Sequence, residues 1–504
     1  MILLREPILI DVSRDLTCRD IYEISTSRDL YKIFLPEEKE RELKTIRENF
    51  NRYINSGGSC YGITSGLGGQ VVHRISDAQD PIKLIRQHAV GVGDLLPREF
   101  VRGAMIILAR QLSLGYSAVS PEVISLIVEM LNKGITPLIP KYGSLGASGD
   151  LAPMSYIALA IYGEGLVEDS RGRKGFSRDL FREEGLEPLK PDTRDVLSIM
   201  NNTAMSSSIA AHTIATAEIL LMSLIIASSI SVEAMATPKE HFSDKLVNAK
   251  KHRGSSIISR IIREILIDSS AESSEVLQDR YSFRTIPQVL GGFYDALEFS
   301  RTLVEREINS SSDNPLFIDG RCVSGGNFYG SYITISMETL VQSVIQPLIQ
   351  SDRRIFSILD PSLNRGLPPF LTTRSDVGLM ISQYTTAALL NRISTLAYPS
   401  SAFSAPTSAS QEDHVSNSYN SALKAYEIID LGFYIASIEY LVSSYALTYR
   451  KWYDKTSSKV RYYVEQIKDL FDVLYEKPLD QAIKVARDRL FKIAYKEARA
   501  NNII

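Results

Sequence analysis

The sequence predicts a mainly α-helical protein, in which long helices form a bundle core and a smaller N-terminal lobe carries an Ala-Ser-Gly loop. Most long segments space their apolar residues three and four positions apart, whereas strands would alternate them. Glycine, serine and polar residues concentrate instead in four islands, at 56–70, 141–150, 309–330 and 398–417. With 44% hydrophobic and 23% charged residues, the 504-residue chain can bury a large core, which excludes a mainly disordered or disulfide-scaffold protein.

The predicted helices begin and end at residues that commonly cap helices. In the segment 120–134, Ser120 suits the N-cap, Pro121 the first helical position and Gly134 a left-handed C-terminal cap. The same patterns predict further helices over 204–236, 331–358, 377–395, 418–450, 459–476 and 479–498. Pro347 is expected to kink the helix over 331–358.

The most apolar stretch lies between Glu218 and Glu233. It is shorter than the roughly 20 apolar residues that a membrane-spanning helix needs, so we expect a helix buried in protein. Long apolar helices with interspersed serine and alanine are hard to bury in one monomer, which predicts a homo-oligomer. The chain lacks an obvious linker, and we expect a division into a lobe at 1–200 and a helical bundle at 201–504.

Charge and cysteine content narrow the classes of function. The chain has 56 basic and 59 acidic residues without a basic stripe, which argues against a nucleic-acid partner. Cys18, Cys60 and Cys322 lie far apart without CxxC spacing, and the N-terminus does not resemble a signal peptide. We therefore expect a cytoplasmic protein. The six histidines show no HxxxH or HExxH spacing, so no metal site is expected.

The island KYGSLGASGDLAPMSY (141–156) is the strongest candidate for chemistry, and the residues alone allow two interpretations. A glycine-rich loop before a helix can bind phosphate, but the Gly-Lys-Ser/Thr ending of a P-loop is missing. Alternatively, the small residues permit a tight bend in which the Gly149 nitrogen reaches the Ala147 carbonyl. Loss of two waters, one of them from Ser148, would then leave a conjugated electrophile.

The block GSLGASGDLAP resembles the signature of the aromatic amino acid ammonia-lyase family, most closely its histidine ammonia-lyases. Further blocks match in family order over most of the chain, so chance agreement is negligible. They are YGITSGLG (61–68), QHAVGVG (87–93), NNT (201–203), QDRYSFRTIPQ (278–288), NSSSDNPLF (309–317), SGGNF (324–328), GLPPF (366–370) and QEDHVS (411–416). The resemblance implies a mainly α-helical homotetramer in which several subunits contribute to each site.

The resemblance also implies a prosthetic group and the residues around it. Ala147, Ser148 and Gly149 would cyclise autocatalytically to methylidene-imidazolone, without a metal or a nucleotide. Tyr61 resembles the base that removes the β-proton of the amino acid, a role that needs cations or dipoles favouring the phenolate. Asn201 resembles the asparagine that hydrogen-bonds the prosthetic carbonyl, and its alternative role is the N-cap of the next helix.

Further site residues follow from the same resemblance. Arg284 would bind the substrate carboxylate in a bidentate pair, and Gln278 and Tyr281 would lie near it, with Tyr281 close to the electrophile. Phe328 would form an aromatic wall, and its alternative role is that of a core residue. Asn314 would serve the carboxylate or make only a turn before Pro315.

Substrate choice depends on His88, Met380 and Glu412. Histidine-acting members of the family pair a histidine in an HxxGVG-like block with the QEDHVS block, and this sequence has both. The Glu412 carboxylate can accept a hydrogen bond from an imidazole, whereas a phenyl ring would leave it unpaired. These features predict elimination of ammonia from L-histidine to give trans-urocanate. The alternative role of Glu412 is a salt bridge to a nearby basic residue.

Several positions depart from the family pattern. They are Thr64-Ser65-Gly66-Leu67-Gly68, Gln87, Tyr156, Arg194-Asp195-Val196 and Asn202. Because they cluster around the expected site, two alternatives stay open. One is a tyrosine or phenylalanine lyase or aminomutase of the same family, and the other is a catalytically silent helical homologue.

Overall fold

The fold is mainly α-helical, as predicted. A computed structural model describes residues 7–27, 30–67, 80–271, 277–474 and 476–503. The α-helices in these residues, numbered in chain order, are α1 Cys18–Thr26, α2 Glu37–Asn55, α3 Pro81–His88, α4 Arg98–Leu112, α5 Pro121–Asn132, α6 Leu151–Ile161, α7 Ser177–Glu183, α8 Thr193–Met200, α9 Ala204–Ala234, α10 Asp244–Asn248, α11 Arg253–Ile265, α12 Tyr281–Arg284, α13 Ile286–Ile308, α14 Ser331–Leu359, α15 Met380–Leu396, α16 Ser418–Thr448, α17 Ser458–Glu465 and α18 Leu479–Ala500.

Short strands form four small sheets among the described residues. In the first, β1 (Ile8–Asp11) pairs in parallel with β2 (Tyr31–Phe34), so that Ile8 lies opposite Tyr31. The other pairings are antiparallel. They join β3 (Val92–Leu95) to β5 (Pro140–Tyr142), β4 (Thr136–Pro137) to β6 (Leu166–Glu168), β6 to β7 (Lys174–Phe176), and β8 (Leu316–Ile318) to β9 (Arg321–Val323).

The chain forms two compact units, each built from separate stretches of sequence. The first unit comprises Met1–Thr213, Arg301–Glu338 and Pro399–Leu423. The second comprises Ile214–Ser300, Thr339–Tyr398 and Lys424–Ile504.

In the first unit, α4 is almost completely buried and packs against α1 and α5. Gly103 permits close packing on α4, because an added Cβ would lie 2.3 Å from the Ser208 hydroxyl. A second group of helices positions the candidate site: α6 packs against both α3 and α8.

The second unit buries a bidentate ion pair between α14 and α16. Arg354 donates from Nε and Nη2 to the Glu439 carboxylate at 2.5 and 2.9 Å. Ser231 donates to the same carboxylate at 2.7 Å, and Arg354 also donates to the Ser282 carbonyl at 2.9 Å. Since both charged side chains are almost fully buried, these hydrogen bonds replace the water that each group loses on folding.

Most predicted helices are confirmed, with small differences at their ends. Helix α5 begins at Pro121, and Gly134 takes the predicted left-handed conformation with φ of +69°. Pro347 lies inside α14, which continues on both sides of it. The predicted helix over 459–476 is wrong as a single element, because α17 ends at Glu465 and the 3-10 helix Lys468–Val473 follows. Arg489 of α18 provides a physical reason, since its guanidinium binds the Gln466 carbonyl at 2.8 Å and the Asp469 carboxylate at 2.9 Å.

The apolar stretch between Glu218 and Glu233 lies in α9 and is buried, as predicted. Within the described residues, the region Thr193–Ala234, which spans α8 and α9, contains an 18-residue window apolar enough to cross a membrane, and this window is buried inside the protein.

Cysteine pairing differs from the sequence expectation. Cys60 and Cys322 form a disulfide in the first unit, with Cα atoms 5.4 Å apart, while Cys18 is buried and outside this disulfide. Spacing along the sequence did not indicate this pair, because 262 positions separate the two residues.

Candidate active site

The loop before α6 bends tightly at the Ala-Ser-Gly tripeptide. Ala147 and Gly149 pair as an isolated β-bridge although only one residue separates them. Gly149 has φ of +66°, and a Cβ at this position would lie 2.4 Å from the Asn202 carbonyl oxygen. The backbone at this point therefore requires glycine, both for its left-handed conformation and for close approach to the next segment.

Asn201 holds the tripeptide from the C-terminal end of α8. Its Nδ2 donates to the Ser148 carbonyl at 2.7 Å and to the Ser148 hydroxyl at 2.8 Å. The alternative role of Asn201 as the N-cap of α9 is wrong, because the neighbouring Asn202 accepts the Ala204 N–H at 2.9 Å. Asn202, and not Asn201, therefore accepts a backbone N–H at the start of α9.

The stretch that leads into α16 encloses the loop from another side. Ser416 Oγ donates to the Gly146 carbonyl at 2.8 Å, and the Asn417 N–H donates to the Leu145 carbonyl at 2.9 Å. Tyr419 donates to the Lys141 carbonyl at 2.7 Å. A Cβ on Gly146 would lie 2.4 Å from Ser416 Oγ, so these contacts depend on a glycine here.

A cavity of about 670 Å³ brings five predicted site residues together in the first unit. Tyr61, His88, Ser148, Asn201 and Glu412 all line it. Packing of α3 and α8 on α6 explains this convergence, because His88 ends α3, Asn201 follows α8 and the Ser148 loop precedes α6. The remaining described lining residues are Leu67, Asp80, Lys83, Leu84, Gln87, Leu151, Leu197, Met200 and Ser408.

His88 and Glu412 present hydrogen-bonding groups to this cavity. His88 Nδ1 lies 2.8 Å from the Leu84 carbonyl oxygen, which can only accept, so Nδ1 carries the hydrogen. Glu412 accepts a hydrogen bond from the Thr407 hydroxyl at 2.6 Å, and the backbones of the two residues also pair. The carboxylate thus accepts from a neutral hydroxyl, which leaves its charge available to a ligand.

Two buried carboxyl groups lie behind the loop, and sequence reasoning missed both. Asp150 accepts hydrogen bonds from the Ser206 N–H at 2.7 Å and the Ser206 hydroxyl at 2.9 Å. Burial raises the pKa of Asp150 to about 6, although these hydrogen bonds act in the opposite direction. Glu307 accepts a hydrogen bond from Thr203 at 2.6 Å. Burial raises the pKa of Glu307 to about 7, and the charge of Asp150 adds to the effect.

Two other predicted residues of the first unit lie outside the cavity lining. Asn314 Oδ1 accepts the Gly325 N–H at 2.8 Å, which ties the NSSSDNP segment to the SGGNF loop. Phe328 of that loop is half-buried. Next to it, the Tyr329 hydroxyl hydrogen-bonds His414 Nδ1, which links the SGGNF and QEDHVS segments.

The remaining predicted residues, Gln278, Tyr281, Arg284 and Met380, belong to the second unit. Gln278 is exposed, and the Tyr281 side chain is 71% exposed. The Arg284 guanidinium stacks on the Tyr281 ring, 4.6 Å from its centroid. Arg284 Nε is buried without a hydrogen-bond partner in the described structure, so it has a donor available for an anionic ligand.

In the helical fold, a serine-centred loop faces a polar cavity, which is the arrangement of an enzyme active site. A sequence profile described as "Aromatic amino acid lyase" matches residues 16–469. The chain belongs to the aromatic amino acid lyase family.

Individual relatives support the same assignment over nearly full lengths. A probable histidine ammonia-lyase from Thermoplasma acidophilum is 38% identical over 465 residues, covering 89% of this chain and 93% of the relative. The crystal structure of histidine ammonia-lyase from Trypanosoma cruzi superimposes with a TM-score of 0.88 at 26% identity, covering 98% and 95% of the two chains. Tyrosine aminomutase from Streptomyces globisporus superimposes with a TM-score of 0.91 at 27% identity, covering 98% of each chain.

Members of this family generally use a methylidene-imidazolone group, and the residues of this loop fit such a group. The Ala147 and Gly149 backbones already approach each other, and the tripeptide has no bulky side chain to obstruct ring closure. Asn201 donates to both oxygen atoms of Ser148 that the reaction would involve.

Proposed function

We propose that this protein is a histidine ammonia-lyase, which converts L-histidine to trans-urocanate and ammonia. The observation that carries the proposal is the presence of Glu412 and His88 in the cavity that Ser148 lines. An imidazole ring in this cavity can donate to the Glu412 carboxylate, whereas a phenyl ring has no donor and would leave that carboxylate unpaired. Histidine ammonia-lyases among the relatives support the same substrate.

The prosthetic group would form from Ala147, Ser148 and Gly149 by loss of two waters. It supplies an electrophile that makes the substrate amino group a better leaving group. Asn201 holds the Ser148 carbonyl through Nδ2 and stabilises negative charge on that oxygen.

The side chains of the cavity perform the rest of the reaction in this proposal. Tyr61 removes the β-proton, a weakly acidic proton that needs a positioned base. Glu412 and His88 orient the imidazole, and Met380, which is outside the cavity lining, would contact the ring in a site shared between subunits. Orientation of this kind contributes much of the rate, because it replaces a random encounter by a fixed one.

A second group of residues would bind the amino acid end of the substrate. Arg284 pairs with the carboxylate through its guanidinium, whose buried Nε has no partner within the described chain. Gln278, Tyr281 and Asn314 assist it, and Phe328 borders the prosthetic group. We propose that the protein is a cytoplasmic homotetramer in which subunits share these residues between sites.

The proposal is tested by ultraviolet progress curves with L-histidine, L-tyrosine and L-phenylalanine, together with an ammonia assay. We expect urocanate from L-histidine, and cinnamate or coumarate as the main product would contradict the substrate assignment. Ser148→Ala should abolish turnover while circular dichroism stays unchanged. Full activity of this variant would contradict the mechanism.

Glu412→Gln separates the substrate assignment from the general chemistry. The amide keeps the size and an acceptor oxygen but removes the charge, so kcat/KM for L-histidine should fall by about 10-fold or more. The matched control is Asp413→Gln, an exposed neighbour outside the cavity lining, which should leave kcat/KM within about twofold. Equal loss in both variants would argue against a direct role of Glu412.

The likeness to tyrosine aminomutase favours one second candidate, an aminomutase or lyase that acts on tyrosine or phenylalanine. An aminomutase returns ammonia to the β-carbon, so it would convert L-tyrosine to a β-amino acid without a matching release of ammonia. Chiral chromatography of the L-tyrosine reaction distinguishes this outcome from simple elimination.

A further inference from the structure

We propose that the Cys60–Cys322 disulfide is a positioning device for Tyr61, which keeps its phenol in register with the substrate β-carbon. This inference rests on the proposed function, because it assigns Tyr61 the role of base. Cys60 directly precedes Tyr61 in the chain, and Tyr61 lines the same cavity as Ser148.

Cys60 organises the turn that presents Tyr61. Its carbonyl accepts the N–H groups of Ile63 and Thr64 at 3.1 and 2.9 Å. Its own N–H donates to the Thr64 hydroxyl at 2.8 Å. These hydrogen bonds stay inside the turn, whereas the disulfide reaches a segment 262 positions away. A shift of Cys60 therefore moves the whole turn, and Tyr61 with it.

The other end of the disulfide is attached to a rigid support. Cys322 lies opposite Phe317 in the β8–β9 hairpin. Phe317 packs edge-on against Phe50 of α2, with ring centroids 5.5 Å apart, and its N–H donates to the Tyr116 carbonyl at 2.7 Å. Cys60 and Phe50 belong to the same buried apolar cluster. The disulfide thus joins the Tyr61 turn to a hairpin that is itself held by α2 and by the loop at Tyr116.

A base must sit within hydrogen-bond reach of the proton that it removes, and displacement by about 1 Å can cost up to 100-fold in rate. A covalent bond one residue away restricts such displacement without touching the substrate. Opening the disulfide should therefore slow proton removal and leave substrate affinity nearly unchanged, because His88, Glu412 and Asn201 stay in place.

The experiment compares the oxidised and reduced forms of a Cys18→Ala variant. This variant keeps Cys60 and Cys322 as the only cysteines, so that any effect of reductant belongs to them. The phosphine TCEP gives two electrons, the disulfide becomes two thiols, and the phosphine becomes its oxide. Thiol titration and intact mass follow this step. On reduction we expect kcat for L-histidine to fall about 10-fold with KM within about twofold, and a larger isotope effect with β-deuterated histidine.

Two further measurements make the outcome decisive. The double variant Cys60→Ala/Cys322→Ala should reproduce the reduced form without TCEP, with the ultraviolet absorption of the prosthetic group unchanged. When the disulfide is open, amide hydrogen exchange should become faster in a peptide covering 60–67 but not in one covering α5. This measurement does not depend on which amino acid is the substrate. If the oxidised enzyme prefers another amino acid, the proposed function fails, and the same comparison is made with that substrate.

Three results would overturn the inference. The first is unchanged kcat and isotope effect after complete reduction. The second is a lower melting temperature as the sole effect, which would make the disulfide a stabilising bond only. The third is an intact mass showing that Cys60 and Cys322 are both thiols in the purified, untreated enzyme.

Discussion

At the residue scale, the candidate site combines a carboxylate that faces the cavity with two buried carboxyl groups behind the loop. Glu412 lines the cavity, whereas Asp150 and Glu307 are buried near the loop that carries Ser148. Burial raises the pKa of both buried groups, and each accepts hydrogen bonds, Asp150 from Ser206 and Glu307 from Thr203.

Glu307 should make stability fall as pH rises. Its pKa is about 7 in the folded chain and about 4.5 in the unfolded one, so the folded state binds more protons between these values. Stability should therefore be lost progressively from pH 4.5 to 7 and stay lower above pH 7. Glu307→Gln keeps an acceptor for Thr203 but does not titrate, so it should remove this loss and stabilise the protein at pH 8 by on the order of 2 kcal/mol.

The measurement is the melting temperature of both proteins from pH 5 to 8. The control is Glu48→Gln on the exposed face of α2, which should leave the pH profile of the wild type unchanged. If the melting temperatures of the wild type and Glu307→Gln change with pH in the same way, the raised pKa of Glu307 is contradicted.

The sequence predicted the site residues that line the cavity, but it did not predict the buried carboxyl groups behind the loop. Tyr61, His88, Ser148, Asn201 and Glu412 stand in motifs that resemble those of a known family, and all five line one cavity. Asp150 and Glu307 could not be singled out, because acidic residues are normally exposed and burial is a property of the tertiary structure. The disulfide was missed for a related reason, since pairing depends on a Cα distance that spacing along the chain does not reveal.

At the scale of helices, local signals placed the ends of most elements, and tertiary contacts explain the main exception. Ser120, Pro121 and Gly134 mark α5 through their own backbone preferences. The break after α17 instead depends on Arg489, which comes from another helix and binds a carbonyl that would otherwise continue the helical pattern. Apolar periodicity over 459–476 carries no information about that guanidinium.

The ion pair between α14 and α16 should be the most sensitive polar contact of the second unit. Arg354→Met would leave the Glu439 carboxylate buried with only the Ser231 hydroxyl as a partner. We expect a loss of about 3–5 kcal/mol in the free energy of unfolding. The matched control is Arg392→Met, which removes an exposed partner of Glu427 and should cost less than about 1 kcal/mol.

Denaturant titrations at one fixed protein concentration compare the two variants, because assembly also contributes to stability. Equal losses in Arg354→Met and Arg392→Met would show that burial of the pair does not matter.

At the scale of the whole molecule, α15 exposes apolar side chains that a single chain leaves uncovered. Among its described residues only Ser382, Thr386 and Ile393 are buried, while Ile381 and Tyr384 are 47% and 57% exposed. A soluble oligomer would cover such a face, as the proposed tetramer requires.

Tyr384→Glu should therefore weaken the oligomer, because it places a charge in the expected interface. Size-exclusion chromatography with light scattering should give a tetramer for wild type and smaller species for this variant. Gln481→Glu adds the same charge on an exposed position of α18 and should leave the mass unchanged. A tetramer in all three proteins would place the interface elsewhere.

Ser416 and Asn417 contact the loop at 145–146, so the order in which these segments are synthesised bears on when the site can assemble. A ribosome adds more than 260 residues after Gly149 before it reaches Ser416. The tripeptide at 147–149 is therefore made early, whereas the groups that enclose it are made late. In the proposed function, maturation of the loop would follow synthesis of Ser416 and Asn417, so chains terminated before these residues should lack the reactive group.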